Sequence, residues 1–260
     1  YKLPEILEKP IPNKTSDYLS FKPKNNSTFQ AYVPISVGCD HFCTYCIVPF
    51  ARGQEICRDA DSIIKEVTEL VNKGYKDITL LGQTVNRWIN PRFDAEYKKG
   101  QIANTKIPEL NSIPLSLDIE KATEPRDFLQ LLQVLDELPG EFWMTFMSSH
   151  PNYMTLELIN TMANSKHIRP YIHFALQSGS DEVLKRMNRR YTVAEFSITA
   201  KLLKKSIPGL GLSTDIIVGF PGESKVQFME TAKVMKDLEF DMAFLSEFSS
   251  RKGTAIALIP

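Results

Sequence analysis

From Ala31 onward, short apolar runs alternate with amphipathic stretches. The runs at about 31–37, 77–82, 142–148, 171–177, 212–219 and 242–248 have the length and composition of strands. Between them apolar residues recur every three or four positions, the spacing of one helix face. Ile63, Ile64, Val67, Leu70 and Val71 make one such face, ending at Gly74. Phe128, Leu131, Leu132, Leu135 and Leu138 make another, which stops at Pro139-Gly140. A third helix is expected from near Thr155 and a shorter one from Ser180, with Val183, Leu184 and Met187 inward. Thr192 with Glu195, and Ser224 with Gln227, have capping-box spacing ahead of two more.

Strands that alternate with helices predict an α/β fold, a parallel sheet with right-handed crossovers. Six such units are too few for a closed eight-stranded barrel, so the expectation is an open, partial (β/α)6 TIM-type barrel. Chemistry in parallel βα architectures sits at the C-terminal ends of the strands. Two segments fall outside the repeat. Residues 1–30 carry Pro4, Pro10, Pro12 and Pro23 among Lys and Asn and read as an extended linker. A stretch near 87–126, rich in Asn, Pro and Lys, interrupts the core as an insertion, either a lid or a surface elaboration, with Trp88 and Phe93 pinning part of it. Residues 31–260 are read as one core domain. A start at Tyr1 and an end at Pro260 suggest a segment of a longer protein, with the linker leading from an N-terminal domain outside this chain.

Composition changes this picture little. The 260 residues are 43% hydrophobic, enough for a substantial core. Lys plus Arg equals Asp plus Glu at 31 each, so net charge neither argues for nucleic-acid binding nor excludes it. Apolar runs stay below the ~18 residues that span a bilayer, and the start has no signal-like pattern. The expectation is a cytoplasmic monomer with no membrane partner.

Cysteines change it a great deal. Cys39, Cys43 and Cys46 lie in one short loop after the first apolar run. Structural zinc takes four ligands, commonly from two separated pairs, and only this triplet is present. His41 sits between two of the cysteines, where its ring is poorly placed to reach the same metal. Three thiolates around a 4Fe-4S cluster leave one iron without a protein ligand, open to a substrate or cofactor. Zinc stays as the rival reading. The fourth cysteine, Cys57, reads as a small side chain packed at a helix start.

The C-x3-C-x2-C loop, with Tyr45 before its last cysteine, resembles that of the radical S-adenosylmethionine (SAM) enzymes. The run Gly38-Cys39-Asp40 through Cys46-Ile47-Val48-Pro49-Phe50-Ala51-Arg52-Gly53 is similar to the methylthiotransferases among them. Leu80-Leu81-Gly82-Gln83-Thr84-Val85-Asn86, Ser149-His150-Pro151, His173-Phe174-Ala175-Leu176-Gln177-Ser178-Gly179-Ser180 and Leu184 through Thr192 resemble the tRNA-modifying branch of that family. Thr84 stands where that branch has Asn, Cys57 where it has Ser, and Phe248 to Thr254 follow the pattern loosely.

The resemblance implies a SAM-binding 4Fe-4S cluster on Cys39, Cys43 and Cys46, with the open iron chelated by SAM. It implies Tyr45, Gln177, Arg189 and Asp215 as cofactor-binding residues, Arg189 meeting the SAM carboxylate, with Arg190 the alternative in register and a salt bridge to a neighbouring strand or helix the alternative reading of Asp215. The implied reaction is methylthiolation at C2 of N6-isopentenyladenosine next to the anticodon of tRNA. A second, auxiliary 4Fe-4S cluster would lie in a domain absent from this chain, and a flavodoxin or ferredoxin would supply electrons. Gln83 and Asn86, at the end of the second strand, carry the amides that match adenine, or serve as structural hydrogen-bonding groups. Arg52, Arg58, Arg87, Arg186 and Arg190 meet phosphates or are simply solvated. His150 and His173, at strand ends, read as structural, and Gly219-Phe220-Pro221-Gly222-Glu223 as a tight turn. Two rivals remain: a sister methylthiotransferase acting on threonylcarbamoyladenosine or a ribosomal-protein aspartate, and a non-enzymatic zinc-bearing RNA-binding module.

Overall fold

The computed structural model describes Leu19 and residues 26–95 and 124–258. The linker expected over 1–30 and the body of the insertion expected over 87–126 lie largely outside the described residues.

Six parallel strands follow one another around a curl. β1 (Gln30–Pro34) pairs with β4 (Asp77–Leu81), and β4 with β5 (Trp143–Phe146). β6 (Tyr171–His173) pairs with β7 (Gly211–Val218), and β7 with β8 (Met242–Glu247). Parallel bridges Met144↔Ile168 and Ser149↔Phe174 join the two halves. Among the described residues β1 and β8 do not pair, so the curl is open between them. The first expected strand splits in two: after Pro34 the chain leaves the sheet, and β2 (Ser36–Val37) pairs antiparallel with β3 (Ile56–Cys57). Cys57 therefore sits in a short strand ahead of a helix cap, not at the helix start.

Seven helices complete the described units: α1 (Val48–Arg52), α2 (Ala60–Asn72), α3 (Phe128–Asp136), α4 (Leu156–Asn164), α5 (Asp181–Arg186), α6 (Val193–Ser206) and α7 (Lys225–Leu238). Side chains alternate across a strand, so one face of the sheet takes every second residue. Ala31, Val33, Ile78, Leu80, Met144 and Phe146 are almost wholly buried and share one core with Ile63 and Val67 of α2, Leu131 and Leu135 of α3 and Ile159 of α4. The intervening positions carry Tyr32, Thr79, Thr145, His173, Ser213 and Asp215, and Thr79 and Thr145 exchange a hydroxyl hydrogen bond of 3.0 Å. The concave face is thus polar, while the apolar core lies between sheet and helices. Both capping boxes form, at Thr192/Glu195 and Ser224/Gln227.

The stems of the insertion close on the core. Trp88 is buried, and its Nε1 donates to Arg58 O at 2.9 Å. Asn90 donates from its backbone N to Arg126 O and from Nδ2 to Pro125 O, both at 2.9 Å, and the Arg126 guanidinium lies 4.7 Å from the Phe93 ring centre. Among the described residues no helix is long and apolar enough to cross a membrane.

Candidate functional site

The cysteine loop leaves β2 at the rim formed by the C-terminal ends of the strands. Gly38 has φ +80°, and a Cβ there would stand 2.1 Å from Gln54 O, so only glycine lets the loop pass. Cys39 N donates to Gly53 O at 3.2 Å, and Glu55 N to Asp40 Oδ1 at 3.1 Å. The far side is tied to the segment after α5. Thr44 donates from N to Met187 O and from Oγ1 to Arg186 O, while Asn188 Nδ2 donates to His41 O and Phe42 O.

This tie has a backbone cost. Phe42 and Asn188 both have positive φ, as do Ser148 and Gln177, two residues of the cavity beside the loop. Left-handed backbone in non-glycine residues costs energy and concentrates where function requires it.

That cavity measures about 290 Å³. Cys39, Cys43 and Cys46 border it together with Tyr45, Gln83, Gln177, Arg189 and Asp215. Eight of the nine expected site residues therefore meet in one place. Asn86 does not: it is buried, and its amide is spent on the backbone of His150, Nδ2 donating to His150 O at 2.9 Å and Oδ1 accepting from His150 N at 2.8 Å. The structure gives Asn86 the structural role, fixing the rim segment that carries His150.

Of the two arginines, Arg190 is exposed and Arg189 lines the cavity. Its Nη1 donates to Cys43 Sγ at 3.5 Å, its Nε to Tyr191 OH at 3.0 Å, and its Nη2 to Ala175 O at 3.4 Å. Burial alone would lower its pKa, but Tyr191, Tyr45 and Cys43 outweigh burial and hold it well above the usual value. Among the described residues this guanidinium has no carboxylate partner. A half-buried cation in that state suits an incoming anion.

Burial pushes up the thiols of Cys39 and Cys46 and, more strongly, the Tyr45 hydroxyl. Cys57 borders a different cavity with Asp40, Glu55 and Arg87, and burial pushes its thiol up to about 12. Of the five cations weighed for phosphate contact, Arg58 pairs with Glu66, Arg87 with Asp40 and Glu55, and Arg186 bonds Gly222 O and Gln227. Arg52 and Arg190 are exposed.

Two features were not anticipated, and a third was expected only as the alternative for Asp215. His41 stacks on His150, with ring centres 4.3 Å apart and planes 4° apart, and burial lowers the pKa of both rings, His41 to about 4. Asn188 fastens the cysteine loop. His173 and Asp215 form a pair at 2.9 Å. The sequence carried only a faint signal for each, because every partner comes from a distant strand end.

An open parallel barrel presenting three cysteines at its rim defines a class, and the comparisons name it. The family model described as the radical SAM superfamily matches residues 33–235, and the chain belongs to that superfamily. Within it, the chain is 40% identical over 267 residues to the tRNA-2-methylthio-N(6)-dimethylallyladenosine synthase of Clostridium novyi (strain NT), covering 99% of this chain and 52% of that protein. The protein of the same name from Treponema denticola is 40% identical over 249 residues, covering 96% and 49%. The chain spans about half the length of the curated relatives it matches. Among solved structures it is similar to the radical SAM methyltransferase TsrM from Kitasatospora setae, with TM-score 0.59 and 15% identity over 87% of this chain and 38% of that one. It is also similar to coproporphyrinogen III oxidase (HemN) from Escherichia coli, with TM-score 0.54 and 14% identity over 85% and 44%. At such identities the likeness concerns the fold.

Membership implies a 4Fe-4S cluster and SAM, and the residues present fit both. Among the described residues no three His, Cys, Asp or Glu side chains converge as ligands of a single ion. Three cysteines free of disulfides border the cavity, and three thiolates suit a 4Fe-4S cluster with one iron left open. The half-buried Arg189 and the Gln177 and Asp215 side chains border the same cavity with the donors and acceptors that an amino acid joined to a nucleoside calls for.

Proposed function

We propose that this chain is the radical-generating core of a tRNA methylthiotransferase that modifies C2 of N6-isopentenyladenosine (the dimethylallyl nucleoside) next to the anticodon. One observation carries the reading: Cys39, Cys43, Cys46 and Arg189, from distant parts of the chain, border one cavity. The relatives' shared name narrows the class of reaction to one substrate.

In this reading Cys39, Cys43 and Cys46 hold the cluster as thiolates, and Arg189 meets the SAM carboxylate. Gln177 and Asp215 receive the ribose, and Tyr45, edge-on to Phe220 at 6.4 Å, supplies an aromatic wall. When bound, a 4Fe-4S cluster supplies the electron that splits the SAM sulfonium to a 5′-deoxyadenosyl radical, the chemistry an unactivated C–H bond requires. The chain's own work is to position and to shield. Gln83, exposed at the cavity edge, offers an amide to the base, and the exposed Arg52 and Arg190 offer charge to the RNA backbone.

Residues 31–260 form the radical SAM core in this proposal, residues 1–30 link it to another domain, and 87–126 form an insertion. Sulfur comes by way of an auxiliary 4Fe-4S cluster held outside this chain, because Cys57 is the one cysteine not committed to the first cluster. A flavodoxin- or ferredoxin-type reductant, a monomeric state and the cytoplasm complete it. The test is nucleoside mass spectrometry of tRNA incubated anaerobically with the full-length protein, SAM and reductant. Methylthio-N6-isopentenyladenosine is the expected product; methylthiolation of threonylcarbamoyladenosine instead would reassign the chain to a sister enzyme.

A further inference from the structure

A directed chain of hydrogen bonds runs along the concave face to the cavity. Tyr171 OH and Ser213 Oγ are 2.7 Å apart, Ser213 Oγ and His173 Nδ1 3.1 Å, and His173 Nε2 and Asp215 Oδ2 2.9 Å. The carboxylate can only accept, so Nε2 is the donor there and carries the ring's proton. Nδ1 is then the acceptor and takes the Ser213 hydroxyl proton, and Ser213 Oγ in turn accepts from Tyr171 OH. Each link fixes the direction of the next, and the chain ends on Asp215.

The two ends differ in setting. The His173 side chain is 7% exposed, while that of Asp215 is 40% exposed. Phe244 lies against the His173 ring in a T-shaped contact, centres 5.9 Å apart at 61°, so the imidazole has a ring neighbour as well as a hydrogen bond at each nitrogen. A half-exposed carboxylate without such an anchor rotates freely and is satisfied by water. With Oδ2 held, the other oxygen is left to accept from a ligand. Asp215 O accepts from Gln177 N at 2.8 Å in the backbone, and both residues border the same cavity. A fixed carboxylate in a cavity that an amide also borders suits a vicinal diol.

We infer that His173, oriented by Ser213 and Tyr171, is a positioning residue that holds Asp215 to receive the ribose hydroxyls of the adenosyl ligand. This rests on the proposed role of Asp215, and the test separates the two. Binding of S-adenosylhomocysteine and of its 2′-deoxy and 3′-deoxy analogues would be measured by calorimetry on the cluster-reconstituted protein, with iron and sulfide counted in each sample. The wild type is expected to prefer the parent over the weaker-binding deoxy analogue by about tenfold. In His173→Phe that preference falls below about twofold with iron and sulfide retained, and His173→Gln, which keeps a donor toward Asp215, restores most of it. Ser213→Ala and Tyr171→Phe lower it less. Full discrimination in His173→Phe, when Asp215→Ala has lost it, overturns the inference and leaves the Asp215 reading standing. Full discrimination in Asp215→Ala overturns both.

Discussion

Arg189 donates Nη1–H to Cys43 Sγ at 3.5 Å across 146 residues of sequence. The contact joins the loop after the first strands to the segment after the helix that follows β6. It places the one guanidinium among the described cavity residues directly beside a thiol of the cysteine triplet. A cation there serves two ends, since it faces the Cys43 sulfur on one side and the cavity on the other.

Arg189→Ala should therefore weaken SAM binding by about ten- to a hundredfold, the worth of roughly 1.5 to 3 kcal/mol for a charge-assisted hydrogen bond. Iron content should stay intact, because Arg189 is not a ligand. Equilibrium dialysis with labelled SAM checks this. Unchanged affinity would return the carboxylate to the exposed Arg190.

Replacing Cys39, Cys43 or Cys46 by Ala should each abolish the brown chromophore, whereas Cys57→Ser should keep it. The first three border the cavity and Cys57 borders another. Iron and sulfide per chain after anaerobic reconstitution are the measurement. A Cys57→Ser chain without a cluster would contradict the assignment of ligands.

Much of the barrel was legible because its signals are local. Strand and helix periods, Gly74 and the two capping boxes each act within a few residues, and the elements form where those signals place them. The short β2–β3 pair was not legible, since two residues of strand have no period to read. The same division runs through the site. Cysteine spacing lies within eight consecutive residues and was readable, and the family resemblance pointed to Arg189 and Asp215, which border the same cavity. For Asn86 the sequence left two readings open, a base contact or structural hydrogen bonding, because an amide at a strand end has the chemistry for both. Only the backbone of His150, 64 positions away, reveals that both amide atoms are already used.

Asn86→Ala should consequently act on stability. Leaving the buried N–H and C=O of His150 without partners should cost about 2 to 4 kcal/mol, seen as a lower thermal midpoint, with SAM affinity within twofold. A variant of full stability that has lost affinity for tRNA would restore Asn86 as a base-contacting residue.

Glu55 gives a pH prediction. Burial outweighs its 2.8 Å ion pair with Arg87 and raises its carboxyl to about 7 from an ordinary 4.5. A raised carboxyl binds its proton more tightly folded than unfolded, so its contribution is full below about 4.5 and is lost as pH rises toward 7. Glu55→Gln lacks that loss. Its stability relative to wild type should grow by about 3 kcal/mol between pH 4.5 and 7 and level off above. Denaturant melts of both proteins at matched pH check the sign. A difference that does not change with pH would mean the carboxyl titrates normally.

The central claim is that these residues form a complete radical-generating site. Its most direct test is chromatography of 5′-deoxyadenosine from the anaerobically reconstituted chain with SAM and a strong reductant, with Cys43→Ala alongside. The account predicts slow 5′-deoxyadenosine formation by the wild type, none by the variant, and no methylthiolated nucleoside when tRNA is added to this chain alone. A cluster-loaded wild-type chain that leaves SAM intact would contradict it.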